Sequence, residues 1–185
     1  MCAYKPSQLE LLVDPLLEMT ILRPRYIDLI RYMGLKGSER VLDFGSGPGV
    51  ISGMIAKELE KGGGRVSCLD VTKEWLDQAK RRLRRRLNVE FIFGDIRTQK
   101  IPKSSFDAVV VHYVIHDIEK GDRKEIISAL ADILASGGRL HIREPISKSH
   151  GMPADELRTL LKESGLEETR VSIGKRRVTA TLTKK

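Results

Sequence analysis

Two cysteines in 185 residues leave no disulfide framework and no cysteine-based metal cluster to build on. Cys68 lies inside an apolar, strand-like run and reads as a small buried hydrophobe, while Cys2 sits beside the N-terminus. That usage fits a reducing cytoplasm, which is the expected location. No apolar run approaches the roughly 20 residues that a membrane span requires. The N-terminus lacks the basic-then-apolar order of a signal peptide. Repeats, low-complexity tracts and linkers are also missing. The expectation is therefore one domain over residues 1–185, with an N-terminal helical segment at 1–37 and a core at 38–185. Aromatic residues make up only 5% of the chain, and none interrupts its densest basic run.

That run is Arg81-Arg82-Leu83-Arg84-Arg85-Arg86-Leu87, within a chain of formal net charge +8. On a helix, Leu76, Ala79, Leu83 and Leu87 share one face and the arginines take the other. Cations late in a helix suit its dipole, so a solvated helix back is favoured over an RNA-binding stripe. Without interleaved aromatics there is nothing there to stack on bases. A nucleic-acid partner stays open but is not favoured.

Periodicity then orders the chain. Leu9, Leu12, Val13, Leu16 and Leu17 have helical spacing, as do Ile27, Ile30 and Met33, with a break near Pro24. Strands are predicted over 40–44, 65–69, 89–93, 106–112 and 139–143, and helices over 50–59, about 72–86, 123–134 and 155–163. Residues 166–173 and 177–182 alternate as a closing hairpin around Gly174-Lys175-Arg176. Strands alternating with helices predict an α/β fold. It is a doubly wound, mostly parallel seven-stranded sheet with a C-terminal antiparallel hairpin and helices on both faces.

Ligands of such sheets lie at the carboxyl ends of the strands. The first strand runs into Asp43-Phe44-Gly45-Ser46-Gly47-Pro48-Gly49, a D-x-G-x-G-x-G pattern. Glycine lets a ligand touch the main chain there. Dinucleotide folds use G-x-G-x-x-G, and here the last glycine falls one residue early. Asp43 would also repel a pyrophosphate. The second strand ends in Asp70, placed to accept both hydroxyls of a ribose or to cap the following helix. The third ends in Gly94-Asp95-Ile96, where an acid can take an adenine amino group, or simply make a turn.

Together with Phe106–His112 and Leu134–Leu140, these segments resemble, in order, the five motifs of the class I S-adenosylmethionine-dependent methyltransferases. The general look is that of small-molecule enzymes such as those of quinone biosynthesis. The resemblance implies S-adenosylmethionine as cofactor. Asp43, Gly45, Ser46, Gly47 and Gly49 would hold its methionine part, Asp70 and Val71 the ribose and adenine face, and Asp95 and Ile96 the adenine edge. His112 would contact the cofactor, and Trp75 is a weaker candidate.

The acceptor side follows the fourth strand. His116 is the best proton-handling residue, since its ordinary pKa is about 6.5. Glu144 is the second candidate at that rim, and Arg143, His141 and Tyr26 are weaker. No metal is expected, because metal-dependent catechol-type relatives carry an acid where His112 stands. The favoured reading is methyl transfer to a small molecule. RNA or protein as acceptor, a non-catalytic SAM-binding subunit, and a nucleotide-dependent oxidoreductase stay open, as does the oligomeric state.

Overall fold

The computed structural model describes residue 7, residues 23–146 and residues 151–185. The predicted lead-in helix around Leu9–Leu17, and Cys2, lie outside the described residues. The chain divides into two compact units, residues 2–94 and 95–185.

The first unit begins with α1 (Arg23–Met33), which buries Tyr26, Leu29 and Met33. Pro24 lies in its first described turn, where a missing N–H costs nothing. Three parallel strands follow, β1 (Arg40–Phe44), β2 (Arg65–Asp70) and β3 (Val89–Phe93), with β2 in the middle. Helices α2 (Val50–Leu59) and α3 (Lys73–Leu83) pack on β2. Val41, Leu42 and Phe44 of β1 and Val66, Cys68 and Leu69 of β2 are essentially inaccessible. Each such side chain contributes about 1.5–3 kcal/mol by leaving water.

Helix α3 is shorter than its pattern predicts. It stops at Leu83, and Leu87, expected on the apolar face, is fully exposed. Leu76, Ala79 and Leu83 find partners among Cys68, Val89 and Phe91, or against the glycine loop, and Leu87 finds none. Beyond Leu83, Arg84 and Arg85 are exposed, and Arg86 turns to pair with Glu60.

The second unit holds β4 (Phe106–His112), a 3₁₀ turn (Ile115–Asp117), α4 (Lys120–Ile133), β5 (Leu134–Pro145), α5 (Ala154–Glu163), β6 (Glu167–Ile173) and β7 (Arg177–Thr183). Its strand order is β4-β5-β7-β6. β4 and β5 run parallel, and β7 is antiparallel to both of its neighbours. Val109-Val110-Val111 is buried on both faces, as a continuous apolar run predicts. The Lys184 ammonium donates to the carbonyls of Ala131, Asp132 and Leu134, at 2.9, 3.0 and 2.7 Å, and closes the C-terminus of α4. The seven strands make the mixed, mostly parallel sheet expected, with its C-terminal strands antiparallel. No helix among the described residues is long and apolar enough to cross a membrane.

Candidate functional site

In the first unit, the chain leaves β1 through a loop of positive-φ glycines: Gly45 at 70°, Gly47 at 52° and Gly49 at 77°. The loop is tied to the end of β2. The Gly45 and Ser46 amides donate to the Leu69 carbonyl at 2.8 and 3.1 Å. The Gly47 amide donates to Asp70 Oδ2, and the Thr72 amide donates to Asp70 Oδ1, both at 2.8 Å. One carboxylate therefore fixes the glycine loop and the start of α3 together. The Thr72 amide that Asp70 receives belongs to the residue just before α3.

The glycines have different jobs. A side chain at Gly47 would meet nothing within 4 Å, so its Cα faces open space. A Cβ at Gly49 would lie 2.9 Å from the Ala79 Cβ and 3.1 Å from Leu83 Cδ1. Gly49 is required by the approach of α2 to α3. Asp43 is buried, and its Oδ2 accepts a 2.5 Å hydrogen bond from the Ser52 hydroxyl on α2. Burial, opposed by that hydrogen bond and reinforced by the charge of Asp70, pushes the Asp43 carboxyl up to about 7. Burial likewise raises Asp70. The Ser46 hydroxyl is buried with no hydrogen-bond partner. A buried unpartnered hydroxyl costs about 1–3 kcal/mol, and a polar ligand lying on the loop would remove that cost. Arg82, placed by sequence on a solvated helix back, donates from Nε to the Pro48 carbonyl at 2.9 Å and braces the loop.

The second unit opens at Asp95. Arg97 grips its carboxylate from Nε at 3.1 Å and from Nη2 at 2.7 Å, and the Arg97 amide adds a third bond. Those bonds outweigh its partial burial and hold Asp95 below the usual carboxylate range. Arg97 also pairs with Asp122 and Glu125 of α4. Asp95 is therefore an engaged, ionised acid, and Ile96 beside it is buried. No sequence pattern announced Arg97.

A second cluster forms where β4 and β5 end. Tyr113 adopts φ of 59°, a strained region for an aromatic residue. Its ring stacks on His112 at 4.3 Å and meets His116 edge-on at 6.4 Å. Burial, and then Arg143, depress the His112 imidazole to about 3, so it is neutral. His116 Nδ1 lies 2.7 Å from Glu144 Oε2. Glu144 Oε1 accepts the amides of Val114 and Ile115, each at 2.9 Å.

Glu144 is only 1% exposed, against 15% for the His116 side chain. It does not stand at the rim as a second proton-handling group. It holds the 3₁₀ turn and orients His116, whose Nε2 lies 3.4 Å from Asp117 Oδ1. Burial alone would lower His116, but the hydrogen bond and charge of Glu144, with Asp117, raise it. Arg123 braces the same turn, donating to the carbonyls of Ile118 and His116 at 2.8 and 2.9 Å and pairing with Glu156 at 2.7 Å. An arginine on a helix flank gives no sequence signal of that role.

The weaker candidates lie elsewhere. His141 is buried against Thr181, with burial pushing its imidazole to about 3. Arg143 is buried and donates from Nε to the Thr179 hydroxyl at 3.1 Å. Tyr26 is part of the core of the first unit. Trp75 is half-buried on α3. No cluster of three or more His, Cys, Asp or Glu side chains suited to a metal occurs among the described residues.

Residues 41–138 match the family model described as a methyltransferase domain. A demethylmenaquinone methyltransferase of Corynebacterium efficiens is 34% identical over 115 residues, covering 60% of this chain and 44% of that protein. The chain spans 30% and 56% of the length of two further curated relatives. Among solved structures, the N-methyltransferase NodS from Bradyrhizobium japonicum, in complex with S-adenosylhomocysteine, superposes with a TM-score of 0.73 at 21% identity. The match covers 88% of this chain and 86% of that one. The [4+2]-cyclase SpnF superposes at 0.77 with 15% identity, covering 87% of this chain and 80% of that one. At such identities the likeness is one of fold.

Proposed function

This chain belongs to the methyltransferase-domain family, and from that premise we propose that it transfers the methyl group of S-adenosylmethionine to a small-molecule acceptor. The observation that carries the cofactor half is the loop after β1. It offers an open approach at Gly47, a buried hydroxyl without a partner at Ser46, and a buried acid behind them.

These residues fit the methionine end of that cofactor. Its cationic amino group would find a counter-charge in Asp43, the Ser46 hydroxyl would gain a partner, and the backbone at Gly47 leaves room for close contact, with Gly45 beside it. Asp70, which ties the loop to the start of α3, would accept ribose hydroxyls, with Val71 beside it. Asp95, Ile96 and His112 are assigned to the cofactor on the resemblance of their motifs. When bound, the cofactor supplies an electrophilic methyl group.

His116 is the residue we assign to the acceptor. Its Nδ1 is held by Glu144, so Nε2 is the nitrogen we assign to proton transfer. That group removes a proton from an acceptor hydroxyl or amine as it becomes nucleophilic. The relative named for demethylmenaquinone favours a small organic acceptor.

Calorimetric titration with S-adenosylmethionine and S-adenosylhomocysteine tests the proposal. Saturable, micromolar binding of both is the expected outcome. Binding of neither, with NAD bound in their place, overturns it.

A further inference from the structure

The hairpin that closes the second unit carries three consecutive cations, Lys175, Arg176 and Arg177. They do not project from a loose loop. The Gly174 amide donates to the Arg177 carbonyl at 2.9 Å, and the Ile146 amide donates to the Arg176 carbonyl at 2.8 Å. The turn is thus fastened to itself and to the chain leaving β5.

Beside it lies a cavity of about 320 Å³, lined by Ser172, Gly174, Lys175, Arg176, Arg177 and Thr179. Register places Ser172 and Arg143 on either side of Thr179. Their side chains share one face of the sheet. Arg143, buried behind that wall, reaches Thr179 with its Nε. Among the described residues no carboxylate pairs with Lys175, Arg176 or Arg177. The lining thus joins three cations to two hydroxyls and contains no acid.

Its position matters as much as its charge. Pro145 pairs with Arg177 and Glu144 with Val178, so the cationic turn abuts the end of β5. That end supplies Glu144, which holds His116. Burial chiefly keeps His112 a neutral imidazole, with smaller contributions from the charges of Arg143 and Arg177.

We propose that this pocket binds the anionic group of the methyl acceptor, a carboxylate or phosphate carried on a small molecule and held by Lys175, Arg176 and Arg177. The inference rests on the methyltransferase reading for the word acceptor, but not for the binding of an anion. Guanidinium groups suit planar oxyanions, and the two hydroxyls can add hydrogen bonds.

Two probes separate the sources of that charge: citrate for a carboxylate and inorganic pyrophosphate for a phosphate. Each is titrated calorimetrically at low salt against the full chain, alongside S-adenosylmethionine. The expected result is saturable binding of at least one probe, weakened about tenfold or more in the K175Q/R176Q/R177Q variant, as loss of charge-assisted bonds implies. S-adenosylmethionine affinity should stay unchanged in that variant, and probe affinity should stay unchanged in R84Q/R85Q, whose arginines belong to the other basic run.

The wild-type protein provides a test independent of any variant, since probe binding should weaken steadily as sodium chloride is added. Equal binding by wild type and hairpin variant, or no binding of either probe, overturns the proposal. So does a single-stranded RNA oligomer that binds through the hairpin cations and is not displaced by either probe, which would make the pocket a polynucleotide contact. Failure of S-adenosylmethionine to bind while a probe still binds removes the methyltransferase reading and leaves the anion pocket standing.

Discussion

Replacing Asp43 by asparagine should make this protein more stable, and more so the higher the pH. Asp43 is fully enclosed, and its carboxyl is displaced from an ordinary 3.8 to about 7. That displacement is worth about 4 kcal/mol between the two protonation states. The folded state therefore holds a proton that the unfolded chain releases near pH 4. Stability from this group is complete below 3.8, declines as pH rises toward 7, and levels off above it.

Asparagine keeps a carbonyl for the Ser52 hydroxyl and has no charge to bury. Relative to wild type, D43N should gain nothing at pH 4 and up to about 4 kcal/mol at pH 8. For a chain of this size that means a rise in Tm of roughly 8–16 °C. Urea melts of both proteins between pH 4 and 8 provide the assay. Parallel profiles would refute the reasoning, because they would mean that Asp43 is ionised at no cost. The same substitution should abolish the benefit of a cationic ligand, so S-adenosylmethionine should stabilise wild type at pH 8 far more than D43N.

Other substitutions follow from the same geometry. G49A should lose about 2–4 kcal/mol on a denaturation curve, since its Cβ would strike Ala79 and Leu83 at a φ of 77°. G47A, with open space around it, should cost about 1 kcal/mol of strain and show its larger effect in cofactor affinity. E144Q should slow turnover by about 100-fold with little change in cofactor affinity, the amide directing the wrong nitrogen of His116 outward. In wild type, turnover should rise with pH through a midpoint above 6.5, the raised value of His116, and that inflection should be lost in E144Q. An unaltered pH–rate profile in E144Q would count against His116 as the base. D70N should loosen both the loop and the start of α3, lowering Tm as well as S-adenosylmethionine affinity; a change in affinity alone would mean that the two amide bonds do not anchor the loop.

What could be read from sequence followed the strength of local signals. The glycine loop and the end of β2 at Asp70 were legible because the buried runs of β1 and β2 give way sharply to glycine and polar residues. Cys68 was legible as core for the same reason. Partnership between distant residues was not. Glu144 reads as an acid beside a proline at a strand end, and nothing local says that two amides and an imidazole converge on it. Arg82 sits in a run of like charges whose members Arg81, Arg84 and Arg85 are exposed, and only the path of the glycine loop selects it. Leu87 failed in the opposite direction. Its spacing continues the apolar face of α3, but no surface is there to receive it.

The strand order of the second unit governs how the chain can be made. β7 lies between β5 and β6, yet it follows both in sequence. As the polypeptide leaves the ribosome, β6 emerges with no strand to join, and β5 waits with one edge bare. Both are satisfied at once when residues 177–183 appear, and Lys184 then seals the end of α4. From the completion of β5 until β7 appears, this half of the protein carries an open edge, and chaperone protection matters most in that interval. A nick in the Gly174–Arg176 turn of the finished protein would leave β7 in place and test β6 alone, whereas a stop codon at Arg177 would undo both.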